Sequence, residues 1–98
     1  MSGGEIARAI IEGKLRELRE RSYRELAEWV GQVRCDRTNG PDNGGEYQVE
    51  TEVRWDGKTG GDIRVIVAAD GPGVSAFRPL VGAFIMSVDG SLFDENPG

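Results

Sequence analysis

Apolar residues recur at helical spacing through the first third of the chain. In "EIARAIIEGKLRELRERS" (5–22) Ala7, Ile10, Ile11, Leu15 and Leu18 fall on one side of a 3.6-residue wheel, and Glu5, Arg8, Glu12, Arg16, Arg19 and Glu20 on the other. The spacing predicts a helix with one buried and one wet face. Glu12 with Arg16 and Glu17 with Arg21 have the favourable acid-first spacing of four, each contributing about 0.2–0.5 kcal/mol. "SYRE" (22–25) then reads as a capping box, in which the Ser22 hydroxyl accepts from the Glu25 N–H while the Glu25 carboxylate reaches back to the Ser22 N–H. A second, shorter helix is expected from it, with Tyr23, Leu26, Ala27 and Val30 on its apolar side and Gly31 as the left-handed residue that ends it. One bent rod is the alternative.

From residue 32 the period changes to two. "EYQVETEVRW" (46–55) puts Tyr47, Val49, Thr51, Val53 and Trp55 on one face and Gln48, Glu50, Glu52 and Arg54 on the other; "DIRVIVAAD" (62–70) repeats the alternation with Ile63, Val65, Val67 and Ala69. If the inward sets face the same way, Val53 pairs with Val65 and Trp55 with Ile63, leaving 56–62 as the loop. A shorter strand around "QVRCDR" precedes them through the turn-rich "TNGPDNGGE". Near the end, Asp89-Gly90 between "FIMSV" and "SLF" signals a hairpin of type I′, and Pro79 places its strand at an edge or a bulge. The expected fold is α+β: two N-terminal helices, one long and one short, on one face of a four- to five-stranded antiparallel meander. It forms a single domain over 1–98, helical through 4–31 and sheet through 32–94. Trp29, Trp55, Phe77, Phe84 and Phe93 are expected in the core or at its rim.

Composition changes this picture only by exclusion. Thirty-eight per cent apolar residues over 98 suit a folded chain and not a disordered tail. No apolar stretch approaches the roughly 18 residues that cross a bilayer, and "MSGGEIARAI" lacks a basic region followed by an apolar run, so a cytoplasmic protein without membrane contact is expected. Cys35 is the only cysteine, which suits a reducing compartment and reads as a structural thiol. The net charge of −5 is uneven: residues 1–34 carry +1 and residues 35–98 carry −6. Such a surface disfavours nucleic acid and favours a basic partner, if it does more than keep the chain soluble. The Arg-rich first helix does not reverse this, because interleaved glutamates cancel its field.

"RWDGKTGGD" (54–62) contains Gly-Lys-Thr, the end of a phosphate-binding loop. That loop needs a glycine five positions before its Gly-Lys, and here the position is Glu52, in mid-strand; a strand follows instead of a helix. Asp56, Gly57, Gly60 and Gly61 read better as turn residues. With no histidine, the His-based triads and most zinc and iron sites fall away. "DRTNGPDNGGE" lacks the acidic spacing of a calcium loop. No catalytic residue, cofactor or metal site is expected. Glu50 and Glu52, about 7 Å apart on one strand face, would suit a paired-carboxylate enzyme; Arg54 and Arg64 beside them point instead to a solvated, salt-bridged face.

The order of elements, with "SYREL" opening a short helix and "YQVETEVRWD" then "GGDIRV" on a hairpin, resembles a type of short bacterial protein built as helices followed by an antiparallel sheet. The resemblance implies that fold and brings no activity. The favoured expectation is a non-catalytic module that works by contact through Gln48, Glu50, Glu52, Arg54 and Arg64, its partner a protein with a basic patch or a second copy pairing through an edge strand. An inhibitor- or immunity-like role falls within this class. The alternative is a small carboxylate- and Arg-based enzyme or ligand binder with a cleft between helices and sheet.

Overall fold

In a computed structural model, which describes residues 3–40, 45–74 and 80–94, the amphipathic stretch is helix α1, Gly3–Arg19, followed by α2, Tyr23–Glu28. They are separate elements because the capping box closes. The Glu25 N–H donates to the Ser22 hydroxyl at 3.1 Å, and the Ser22 N–H donates to the Glu25 carboxylate at 3.3 Å. Of the two acid-first pairs, Glu17 reaches Arg21 at 3.7 Å. Glu12 and Arg16 make no ion pair among the described residues.

Among the described residues five strands follow: β1 Val33–Asn39, β2 Glu46–Trp55, β3 Ile63–Asp70, β4 Leu80–Met86 and β5 Leu92–Asp94. Each pairs antiparallel with the next in the order β1-β2-β3-β4-β5, an α+β meander. The β2–β3 register has Val53 opposite Val65 and Trp55 opposite Ile63, as the alternation requires. The inward residues Tyr47, Val53, Val65, Val67 and Phe84 are buried with Ile11, Leu15 and Leu18 of α1 and Leu26 of α2. Burying a side chain of this size contributes about 1.5–3 kcal/mol.

The helix sits close because β4 carries no side chain where α1 crosses it. A Cβ on Gly82 would stand 2.7 Å from Leu15 Cδ1 and 2.8 Å from Ile11 Cγ2. The main contacts of α1 are with β3 and β4, and those of α2 with β2 and β3. β1 lies beyond this cover and is exposed along its whole length. Cys35, expected to be structural, is accordingly an exposed free thiol on an edge strand.

Two further expectations are corrected. Phe93 is 54% exposed, because β5 is short and its residue 93 faces away from the helices; Trp29 and Trp55 are half-buried at the core rim. The Asp89-Gly90 turn forms where expected but with three loop residues. Met86 pairs with Leu92, the Ser87 N–H donates to Ser91 O at 2.8 Å, the Gly90 N–H donates to Ser87 O at 2.8 Å, and Gly90 is left-handed with φ 90°. This hydrogen bonding is that of a type I turn closed by a left-handed glycine, not the two-residue type I′ turn. Phe77 and Pro79 lie outside the described residues.

Filling the helix–sheet contact is expected to be costly: Gly82→Val destabilises the fold by about 1–3 kcal/mol through overpacking. Gly57→Ala, at a position with nothing within 4 Å, stays within about 0.5 kcal/mol. Urea unfolding of the two variants checks both; equal midpoints would mean that α1 does not need this close approach.

Candidate functional site

Alternation along the strands decides which side chains stand on the sheet face turned away from the helices. On β2 these are Gln48, Glu50, Glu52 and Arg54; on β3 Arg64, Ile66, Ala68 and Asp70; on β4 Val81, Ala83 and Ile85. The register arranges them in rows: Glu50 lies opposite Ala68 and then Val81, Glu52 opposite Ile66 and then Ala83, and Arg54 opposite Arg64, then Ile85, then Phe93. All five residues expected on this face stand on it, with Gln48, Glu50 and Arg54 exposed and Glu52 and Arg64 half-exposed.

The face is not polar throughout, which corrects the sequence reading. Its β2 side is charged, while β3 to β5 present Ile66, Ala68, Val81, Ala83, Ile85 and Phe93 in a continuous strip, with Val81 52% and Phe93 54% exposed. The expected salt-bridged arrangement is also different. Arg64 pairs with Asp56, its Nε and Nη2 donating to Oδ1 at 2.7 and 2.6 Å, and not with Glu50 or Glu52. The physical reason is local: Arg54 and Arg64 are directly opposed like charges, and Asp56, a diagonal neighbour of Arg64, neutralises one of them. Among the described residues Glu50 and Glu52 make no ion pair, so two carboxylates without a cation partner there border the apolar strip. Arg37, on the same face of β1, reaches Glu46 at 3.7 Å. A depression of about 290 Å³ lies between Cys35, Gln48, Glu50, Ala68 and Asp70.

The Gly-Lys-Thr segment is a tied loop. The Asp56 N–H donates to Asp62 O at 2.8 Å and the Gly61 N–H to Lys58 O at 3.1 Å, and the Tyr23 hydroxyl of α2 donates to Gly61 O at 2.6 Å. Lys58 is exposed and β3 follows, so no helix N-terminus is placed to receive a phosphate.

Sequence reasoning left the cleft between helices and sheet without residues. The structure supplies them, because α1 leaves the inner face of β1 uncovered. Two adjoining cavities of about 380 and 190 Å³ share Lys14, Glu17 and Asp36 as walls; the larger adds Ile10 and Val49, the smaller Arg21, Trp29, Arg34 and Thr51. The charges are largely internal, with Lys14 3.6 Å from Asp36 and 3.9 Å from Glu17, and Arg21 3.3 Å from Glu25. Arg34 lies over the Trp29 ring, 4.1 Å from its centroid, and makes no ion pair among the described residues. Thr51 is 3% exposed and its hydroxyl has no hydrogen-bond partner among the described residues. Nothing in the sequence marks it, since threonine suits an inward strand position as well as valine does.

Among the described residues no group of three or more acidic or cysteine side chains could hold a metal ion, and no helix is long and apolar enough to cross a membrane. No family model matches the chain, and neither does a curated protein or a solved structure.

Two measurements probe the groove. Thr51→Val is expected to stabilise the fold by about 1 kcal/mol, because an unpaired buried hydroxyl costs on that order; a fall in the urea midpoint would show that the hydroxyl has a partner. The Ser22 backbone N–H, and after it the Arg21 guanidinium, hold the Glu25 carboxyl below the 4.5 of an unperturbed glutamate. A depressed carboxylate pKa contributes stability that is present above the unfolded value and lost as pH falls through the folded one. NMR titration should therefore find Glu25 protonating late on acidification, and Arg21→Ala, which removes the guanidinium but leaves the Ser22 N–H in place, should return it part of the way towards 4.5.

Proposed function

We propose that the chain is a non-catalytic protein-interaction module that docks the outer face of its sheet on a partner protein with a basic, partly apolar surface. The observation that carries this is the outer face, with Ile66, Ala68, Val81, Ala83 and Ile85 in one strip bordered by the carboxylates of Glu50 and Glu52, which have no ion-pair partner among the described residues. A contiguous apolar strip rimmed by charge has the anatomy of a binding patch. The acid excess of residues 35–98 supports a basic partner, since complementary potential speeds encounter and excludes wrong partners. Inhibitor- and immunity-type proteins belong to this class.

A second reading, a small-ligand binder in the groove between α1 and β1, is favoured by the unpartnered Thr51 hydroxyl beside Arg34 and Trp29.

Pull-downs from the source organism's lysate separate the two. A protein retained at about 0.1 M salt, released as the Debye length shortens at about 0.5 M, and lost from both Glu50→Lys/Glu52→Lys and Ala83→Asp is the expected result. No retained protein, or one that survives both sets of changes, overturns the outer-face reading.

A further inference from the structure

The backbone of β1 offers a second surface, and it is self-complementary. The Gly40 N–H donates to Gly45 O at 2.8 Å, in the same register that places Cys35 opposite Glu50. Alternation from that pair turns the N–H and C=O groups of Arg34, Asp36 and Thr38 towards β2, and those of Val33, Cys35, Arg37 and Asn39 out to the free edge. All seven residues of the strand are exposed, and neither a proline nor an inserted residue interrupts its pairing with β2. Edge strands usually carry such protection against pairing.

From this edge we infer that the chain forms a two-fold dimer in which β1 pairs antiparallel with β1 of a second copy, centred on Cys35. Charge selects that register. An axis through Cys35 sets Arg34 opposite Asp36 of the second copy and Asp36 opposite Arg34, two symmetry-related ion pairs on the inner face. An axis through Arg34, Asp36 or Arg37 stacks that residue on its own copy, a like-charge contact that disfavours pairing. An axis through Val33, Thr38 or Asn39 forfeits both ion pairs. Among the described residues Arg34 stacks on Trp29 without an ion pair and Asp36 pairs with Lys14 alone, 3.6 Å away, so both charges can turn to a second copy. Val33, Cys35 and Arg37 would exchange about six main-chain hydrogen bonds across the axis, and the product is one ten-stranded sheet. The two Cys35 residues then face one another with Cα atoms about 5.5 Å apart, within disulfide range.

This extends the interaction-module reading but uses the edge and not the outer face, so it is tested on the purified protein alone and its failure leaves that reading standing. Light scattering should give twice the chain mass at concentrations approaching about 1 mM, the range of weak association. Diamide should link the dimer through Cys35: two thiols give up two protons and two electrons to diamide, which becomes its hydrazine. Cys35→Ser should abolish the link and keep the mass. Arg34→Asp and Asp36→Arg should each weaken dimerisation at least about tenfold by opposing like charges, while an equimolar mixture of the two variants recovers it, because their charges again alternate across the axis. The mixture also guards against misfolding, since an unfolded variant would not restore the pairing. A single-chain mass throughout, a dimer unaffected by either substitution, or a mixture that stays monomeric overturns the proposal.

Discussion

The close contact between α1 and the strands β3 and β4 fixes what the rest of the molecule is able to do. One long helix covers the inner face of a sheet only where it lies. Gly82 lets it lie close, and Ile11 and Leu15 fill the space that a β4 side chain would otherwise take. Because the helix stands over β3 and β4, the core concentrates there and β1 is left exposed on both faces. The groove beside Thr51, the bare outer face and the free edge all follow from a sheet wider than its helical cover.

That geometry explains the composition of the strands. β2 and β3 alternate cleanly in burial because one side faces the helices. β1 shows no alternation, and "VRCDRTN" carries charge towards both faces, since neither is buried. The opposition of Arg54 and Arg64 is tolerable because the β2–β3 turn brings Asp56 within 2.6 Å of Arg64. The same turn is tied to α2 through Tyr23, so the Gly-Lys-Thr segment serves as a structural joint.

The elements and the β2–β3 register were legible in the sequence because they rest on periodicity, which a half-buried helix or strand imposes on nearly every residue. The capping box was legible for a similar reason, being a contact between residues three apart. Three features were not. The turn at Asp89 is set by which residues pair across it, and Asp-Gly is compatible with both a two- and a three-residue loop. The apolar side of the outer face was hidden because only the inward set of "RVIVAAD" was read, although Ile66 and Ala68 between its inward residues already give that strand two apolar faces. The partner of Arg64 was missed by weighing strand neighbours and not the diagonal from the loop. The five outer-face residues were placed correctly, but what surrounds them depends on β4 and β5, whose register with β3 had no expectation to start from.

The outer face and the β1 edge meet at Cys35 and Glu50, which are cross-strand neighbours. Pairing through β1 would carry the outer face unbroken from one copy to the next, with the two β2 strands about 14 Å apart, three strand spacings. The unpaired Glu50 and Glu52 of both copies would then flank one axis. Two weak acidic patches held at a fixed distance bind a basic partner with repeated charge more tightly than either alone, because the second contact is intramolecular. The charge pattern of β1 has the complementary effect. A net charge of −5 on each copy opposes association at long range, and pairing at contact needs local complementarity strong enough to offset it, as the alternation of Arg34 and Asp36 about Cys35 supplies.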